Sequence, residues 1–208
     1  MIWSLKNFMV YIIEHKPCNI QCQDGFKEFG VGVLYKGFYP ELNKYNPYLN
    51  EITSLLDILN QEDDYVGLVH YRRSFDNLTF DKAKLILESY DVITTTLYEP
   101  ETPYCHLSNA LGDTLVSKYL TELPSEINVW FYKHNAFNIC SMFISKKEFL
   151  KGYCDWLFPI IIPLVDKFIK EDLTDDFKLN RTVGFIAECL FGYYCKDFRR
   201  YENPMIVK

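Results

Sequence analysis

A β-forming apolar run about one third of the way along the chain ends abruptly in cationic side chains. Residues 65–69 form the run, and His70, Tyr71, Arg72 and Arg73 follow it directly. Such a run bounded by polar residues predicts a buried strand. In an open α/β sheet, ligands bind beyond the carboxyl ends of the strands, and guanidinium groups match phosphate oxygens bidentately. The segment therefore predicts an anion site suited to phosphate or, alternatively, a basic surface turn.

Strand-like and helix-like segments alternate along most of the chain. The predicted strands cover residues 8–13, 29–34, 63–71, 91–96 and 138–145. The predicted helices cover residues 46–60, with Asn46 as N-cap, and residues 81–90, 146–156 and 177–194. Residues 99–135 are expected to be irregular apart from one or two helical turns. The alternation favours an α/β fold with a mostly parallel central sheet flanked by helices.

Bulk composition narrows the class of protein. The 208 residues contain no low-complexity linker and no internal repeat, so we expect a single domain over residues 1–208, either alone or within a longer protein. The net charge of −6 argues against a general nucleic-acid binder. Seven cysteines without a CxxC pair favour a reducing compartment, and no segment approaches the ~20 apolar residues of a membrane span. We therefore predict a cytoplasmic protein without a transmembrane segment, and the oligomeric state stays open.

The sequence contains none of the common glycine-rich or nucleophile motifs. GxGxxG and GxxxxGK[ST] are absent, so the Rossmann and P-loop routes to phosphate have no support. GxSxG is absent as well, which argues against an α/β-hydrolase. A phosphate site in this chain must therefore depend on side-chain cations.

Short motifs spread from residue 15 to residue 188 carry a family resemblance. They are His15-Lys16-Pro17, Val31-Gly32, Asn46-Pro47-Tyr48 with Glu51 and Thr53, residues 64–73, 90–93, 142–144 and 153–159, and Arg181 with Gly184 and Glu188. On these motifs the chain resembles a family of polysaccharide-biosynthesis glycosyltransferases found in bacterial capsule and surface-glycan gene sets and in some large DNA viruses. HYRR at residues 70–73 and WLFP at residues 156–159 are the most specific matches. Ser74, Cys189 and the short region 99–135 depart from the family pattern.

The resemblance implies a GT-A-like glycosyltransferase of the hexosyltransferase type. Its donor would be a nucleoside-diphosphate sugar, with UDP as the expected carrier, and its acceptor a glycan in surface polysaccharide or glycoprotein glycan synthesis. The implied cofactor is a divalent metal, Mn²⁺ or Mg²⁺. Glycosyltransferases of this fold commonly hold that metal with D-x-D after a central strand, whereas no D-x-D occurs in this chain. Either His70 or Asp76 helps to hold the metal, or the arginines neutralise the departing diphosphate directly.

The same resemblance assigns the donor-binding residues. His15 and Lys16 would lie near the nucleotide, unless they belong to a solvated loop. Val31 and Gly32 would contact the base or ribose through the backbone, or form a plain turn. The HYRR motif, residues 70–73, would bind the diphosphate and the metal through His70, Arg72 and Arg73, with Tyr71 beside them.

The remaining candidates concern the sugar and the acceptor. Glu51 would reach the sugar or Arg72, although a surface carboxylate is the plain alternative. Asn138 would hydrogen-bond sugar hydroxyls, or only cap a turn. Arg181 and Glu188 lie on one line of the last predicted helix, at i and i+7. They would form a structural ion pair, or Glu188 would act on the acceptor hydroxyl as a general base in an inverting reaction. In a retaining reaction Glu188 would only orient the donor sugar.

Two other classes of function stay open at this stage. The chain could be a non-catalytic nucleotide- or glycan-binding module, because it lacks D-x-D. It could also be a nucleotidyltransferase or a sugar-phosphate hydrolase, since both use arginine-rich phosphate sites. Binding of UDP with and without Mn²⁺, and identification of the products, separate these interpretations.

Overall fold

A computed structural model describes residues 8–16 and 25–207 of the chain. Its strands are β1 Phe8–Glu14, β2 Phe26–Gly30, β3 Tyr65–His70, β4 Arg73–Phe75, β5 Val92–Thr95, β6 Phe143–Lys146, β7 Arg200–Asn203 and β8 Met205–Val207. Its α-helices are α1 Pro40–Asn43, α2 Asn46–Leu49, α3 Leu55–Leu59, α4 Phe80–Ser89, α5 Pro103–Leu111, α6 Asp113–Leu120, α7 Ser125–Lys133, α8 Lys147–Glu171 and α9 Thr182–Cys195. Pro17 of the His15-Lys16-Pro17 motif lies outside the described residues.

The central sheet has the order β2-β1-β3-β6-β5-β7. β1 is parallel to both β2 and β3, and β5 is parallel to β7. Only β6 runs against its two neighbours, β3 and β5. The expectation of a mostly parallel sheet flanked by helices is therefore confirmed. The carboxyl ends of β1, β3 and β5 meet at one edge of the sheet, at which β6 begins.

Strand β3 is buried over its whole length, as expected for a central strand covered on both faces. Alternate side chains point to opposite faces of the sheet. Val66 and Leu68 pack in one apolar cluster, with α8 and α9, while Tyr65 and Val69 pack in a second cluster, with α4. The two clusters pack the sheet between α8 and α9 on one face and α4 on the other. They hold the end of β3 in place, so that His70 and the residues after it emerge at a defined point.

The helix predicted over residues 46–60 is broken in the structure. α2 ends at Leu49, a 3₁₀ helix spans Asn50–Ser54, and α3 begins at Leu55. Asn50 has a φ of 53° and a ψ of −133°, which interrupts the right-handed helix, and asparagine is enriched among the non-glycine residues with positive φ. The apolar periodicity is continuous across the break, which explains why the sequence predicted a single helix.

Residues 99–135 are far more regular than predicted, because α5, α6 and α7 occupy most of the region. The start of α5 carries a capping signal, since the Thr102 hydroxyl accepts a hydrogen bond from the Cys105 amide and Pro103 opens the helix. α8 also differs from the prediction, because it continues through Pro159 and Pro163 to Glu171. In the described part of the chain, none of the helices combines the length and apolar character that crossing a bilayer requires.

Candidate functional site

Strands β1 and β3 deliver two histidines to the same edge of the sheet. Ile13 of β1 pairs with His70 at the end of β3, and His15 follows two residues later in the chain. The two imidazole rings lie 6.1 Å apart between centroids. His70 is 7% exposed, and its ring packs 4.5 Å from that of Tyr71. The predicted neighbours of the nucleotide and of the diphosphate are therefore adjacent in space.

The break between α2 and α3 brings Glu51 to the two histidines. Glu51 is the second residue of the 3₁₀ helix and is only 5% exposed, so it is not the surface carboxylate of the plain alternative. One potential ligand atom from each of His15, Glu51 and His70 lies within 4.8 Å of the other two. This group arises from three separate elements, each far from the others in the chain.

Asn46 holds the turn that brings Glu51 to the two histidines. Its Nδ2 donates to the Asn50 carbonyl at 2.9 Å and to the Thr53 hydroxyl at 3.2 Å, so it fixes the turn that carries Glu51. The sequence predicted that Asn46 is an N-cap. In the structure Asn46 is instead the first residue of α2, and Tyr45 is the N-cap. Gly32 has a φ of 63°, and a Cβ there would lie 2.8 Å from the Asn46 Oδ1. The absence of a side chain at Gly32 therefore leaves room for Asn46.

The backbone groups of Val31 and Gly32 are used within the protein. The Val31 amide donates to the Glu14 carbonyl at 3.0 Å, and the Gly32 amide donates to Asn43 Oδ1 at 2.8 Å. The Val31 side chain is fully buried. Neither N–H group is left for a base or a ribose, so the predicted contacts receive no support from this geometry.

Three guanidinium groups converge on a cavity of about 170 Å³ at the sheet edge. Arg72 and Arg73 follow β3, and Arg181 directly precedes α9. Glu51, His70 and Glu188 line the same cavity. Among residues 8–16 and 25–207, no ion pair involves any of these arginines. The predicted structural ion pair between Arg181 and Glu188 is therefore not formed, and the three cations face the cavity.

Aromatic rings support two of these arginines. The Arg72 guanidinium lies 5.1 Å from the centre of the Tyr71 ring. Arg181 lies 5.7 Å from the ring of Phe177 and 5.3 Å from that of Phe185. The buried Nε of Arg181 finds no hydrogen-bond partner among the residues that the structure describes. A cation held over aromatic faces keeps its charge and its other donors for an anion.

Burial shifts the pKa of Glu188 in one direction and the pKa values of His70 and His15 in the other. Burial raises the pKa of Glu188 well above its usual 4.5, and the negative charge of Glu51 adds to the rise, whereas Arg181 and Arg73 oppose it. Burial, followed by the charges of Arg73 and Arg72, lowers the pKa of His70 to about 3. Burial also lowers the pKa of His15. The histidines are therefore neutral near pH 7, and Glu188 is the group best suited to exchange a proton.

Three predicted residues lie apart from this arrangement. The Asp76 amide donates to the Pro204 carbonyl at 2.8 Å, which holds Asp76 beside the end of β7, and it is not a member of the histidine–glutamate group. Asn138 is fully buried, and its Nδ2 donates to the Thr95 carbonyl at 3.1 Å, so it fastens the chain before β6, which begins only at Phe143, to the end of β5. Lys16 is exposed at the end of β1.

The sequence interpretation missed His106 as a lining residue of the cavity. His106 lies on α5, in the region predicted to be irregular, and its Nδ1 is 3.1 Å from a carboxylate oxygen of Glu101. The signal that could have placed it was the Thr102-Pro103 helix start. That start places His106 one turn into a helix rather than in a loop.

Replacing Asn46 with alanine is expected to destabilise the fold by about 1–3 kcal/mol, because its buried amide satisfies two acceptors around the Asn50 turn. Urea unfolding of the Asn46→Ala chain measures the change. Asn109→Ala is the matched control, since Asn109 is exposed on α5. Equal stability of the two variants would mean that Asn46 does not support the turn.

Comparison with known proteins gives one family and one solved structure. A family described as "Domain of unknown function (DUF4422)" matches residues 9–200. No curated protein matches the chain. The structure titled "WbbM bifunctional glycosyltransferase apo structure" superposes with a TM-score of 0.69 at 19% sequence identity, and the match covers 97% of this chain and 45% of that one. The likeness shows a shared fold, and the expected GT-A-like architecture is confirmed at that level.

Proposed function

We propose a sugar-transfer function for this chain, which belongs to the family described as a domain of unknown function (DUF4422). The donor in this proposal is a nucleoside-diphosphate sugar, with UDP as the carrier, and the transferred group is a hexose. The acceptor is a glycan of a surface polysaccharide or of a glycoprotein. The chain spans 45% of the length of the glycosyltransferase whose fold it shares, so the activity of that protein supports the proposal only through the fold.

The single observation that carries the proposal is the meeting of Arg72, Arg73 and Arg181 in one cavity at the carboxyl ends of the strands. The arginines come from two separate elements, and no ion pair within the described ranges occupies them. Three guanidinium groups suit a diphosphate, which gains charge as it leaves the sugar. Fixed cations around the leaving group stabilise the transition state more than the ground state.

Glu188 supplies the second part of the chemistry. In the proposed reaction an acceptor oxygen attacks the anomeric carbon, and the bond from that carbon to the diphosphate breaks. The electron pair leaves with the diphosphate, and the acceptor proton passes to Glu188. A carboxyl whose pKa is raised by burial and by Glu51 is suited to this step, because general bases work best with a pKa near the working pH. The reaction would invert the configuration of the sugar.

A divalent cation, Mn²⁺ or Mg²⁺, completes the proposal. When bound to a diphosphate, such an ion supplies a Lewis acid that withdraws charge from the leaving group. In the residues that the structure describes, His15, Glu51 and His70 have the donor types and the spacing for it. Asp76, which the sequence paired with His70, is held elsewhere by Pro204.

Replacing Arg72 with alanine is expected to weaken UDP binding at least about tenfold and to abolish sugar transfer, because a charge-assisted contact to phosphate contributes about 1.5–3 kcal/mol. Calorimetry with UDP and a transfer assay measure the two effects. A screen of nucleotide sugars for thermal stabilisation identifies the donor beforehand, since a ligand that binds only the folded state raises the melting temperature.

The matched control is Arg199→Ala, because Arg199 is an exposed arginine whose guanidinium lies 3.4 Å from an Asp91 carboxylate oxygen. UDP binding and transfer that are unchanged in Arg72→Ala would refute the phosphate assignment.

The absence of D-x-D favours a second candidate function, a non-catalytic nucleotide- or glycan-binding module. UDP binding without any glycosidic product from the screened donors would support that module.

A further inference from the structure

We propose that His15, Glu51 and His70 form a divalent metal site with a preference for Mn²⁺, Co²⁺ or Zn²⁺ over Mg²⁺. The inference deepens the proposed function, because the site adjoins the arginines assigned to the diphosphate. Three independent features of the site support it. They are the spacing of the three side chains, the lack of a hydrogen bond or ion pair to the Glu51 carboxylate within the described residues, and the type of the ligand atoms.

The spacing fits a cation between the three side chains. Their potential ligand atoms lie within 4.8 Å of one another, yet no hydrogen bond or ion pair joins Glu51 to either histidine. A metal bound at about 2.1 Å to nitrogen and oxygen places neighbouring tetrahedral ligand atoms about 3.4 Å apart. Rotation of the three side chains that brings their ligand atoms closer by up to about 1.4 Å would therefore close them on an ion.

Glu51 provides the second observation. Its side chain belongs to a residue that is only 5% exposed, and across residues 8–16 and 25–207 its carboxylate takes part in no hydrogen bond or ion pair. Burial of an ionised carboxylate is costly unless a counter-charge or a metal compensates it. The arginines that line the same cavity supply part of that compensation, and a cation between Glu51 and the two imidazoles would add to it.

The ligand types decide which metal is expected. Imidazole nitrogens suit Zn²⁺, Co²⁺ and related transition metals, and Mn²⁺ accepts mixed nitrogen and carboxylate ligands, whereas Mg²⁺ prefers oxygen ligands and its own waters. The surrounding side chains hold the ligands in place. Asn46 fixes the turn that carries Glu51 through its hydrogen bonds to Asn50 and Thr53, and the ring of Tyr71 packs against His70. Such outer contacts orient the ligands of a metal site.

The nearby arginines predict coupling between the metal and the diphosphate. Arg72, Arg73 and Arg181 place positive charge around the site, which weakens binding of a cation alone. A diphosphate cancels that charge and offers its own oxygens to the metal. UDP should therefore raise the affinity for the metal, and the metal should raise the affinity for UDP by the same factor.

The test measures binding of Mn²⁺ to the full chain by the loss of the free-ion signal in electron paramagnetic resonance. We expect about one ion per chain, displaced by Zn²⁺ or Co²⁺ at lower concentration than by Mg²⁺, and tighter binding with UDP. Glu51→Gln and His70→Gln should each weaken binding about tenfold or more. His106→Ala, in the same cavity, and Asp76→Asn, the ligand suggested by sequence, should bind as the unaltered chain does.

The inference is overturned if the unaltered chain binds none of these ions, if Mg²⁺ displaces Mn²⁺ as readily as Zn²⁺ does, or if both variants bind Mn²⁺ normally. The displacement order is measured on the unaltered chain, so it stays decisive even if a variant fails to fold. Failure here is separable from failure of the proposed function. If the chain binds no Mn²⁺ and still transfers sugar in EDTA, the metal site is wrong and the proposed transferase function stands. If the chain binds Mn²⁺ and loses that binding in Glu51→Gln, but neither binds UDP nor transfers sugar, the metal site stands and the transferase function is wrong.

Discussion

Glu188→Gln should lower the rate of sugar transfer by about 10²–10⁴-fold and leave UDP binding nearly unchanged, since a positioned general base typically contributes a factor of that size. Glutamine keeps the shape of the side chain but cannot take up the acceptor proton. The loss should therefore appear in kcat, while the dissociation constant of UDP stays close to that of the unaltered chain.

The pH dependence gives an independent measurement of the same role. Only the deprotonated form of Glu188 can accept a proton, so the rate should rise as pH increases through its pKa. Burial and the charge of Glu51 place that pKa well above the usual 4.5, so the acidic limb of the rate profile should lie at higher pH than an ordinary carboxylate gives. The limb should disappear from the residual activity of Glu188→Gln.

The control for Glu188 is Glu148→Gln, an exposed glutamate on α8 whose replacement should leave kcat unchanged. The anomeric configuration of the product provides a further check. An inverted product accords with a general base, whereas a retained one would limit Glu188 to orienting the donor sugar. A normal kcat in Glu188→Gln would exclude the residue from the chemical step.

The sequence predicted those parts of the site that lie at the end of a strand or share one side of a helix. Residues 65–69 were apolar without interruption, so β3 and the emergence of His70, Arg72 and Arg73 could be predicted. Arg181 and Glu188 lie seven positions apart, which placed them on one side of the helix predicted over residues 177–194, and in the structure Arg181 directly precedes α9. Both predictions used only local periodicity, and the structure brings all these residues to one cavity, His70 included.

The parts that could not be predicted depend on tertiary contacts. Glu51 reaches His15 and His70 only because the chain turns at Asn50, whose φ of 53° no hydrophobic pattern reveals. α8 continues through Pro159 and Pro163 although proline disfavours a helix interior, because Leu157, Ile161 and other buried residues keep one face of the helix in the core. In both places packing decides the conformation against the local preference.

A single methyl group at Gly184 is expected to disturb both the fold and the site. A Cβ at this position would lie 2.5 Å from the carbonyl oxygen of Tyr48 and 3.0 Å from Nδ2 of Asn50. The carbonyl oxygen belongs to the backbone of α2, so it cannot rotate away as a flexible side chain would. α9 would have to move as a body. Gly184 lies between Arg181 and Glu188, and Asn50 precedes Glu51, so that movement separates the groups that line the cavity.

We expect Gly184→Ala to destabilise the fold by about 1–3 kcal/mol from overpacking, reduced by the ~0.5–1 kcal/mol that alanine gains over glycine inside a helix. UDP binding and sugar transfer should fall with it. The matched control is Gly152→Ala on α8, at which a Cβ would meet only the hydroxyl end of the Tyr194 side chain, at 2.7 Å. That ring can shift, so this variant should be as stable as the unaltered chain or more so. Urea unfolding compares the two alanines directly, and equal stability together with equal transfer rates would mean that α9 does not depend on close contact with the Asn50 turn.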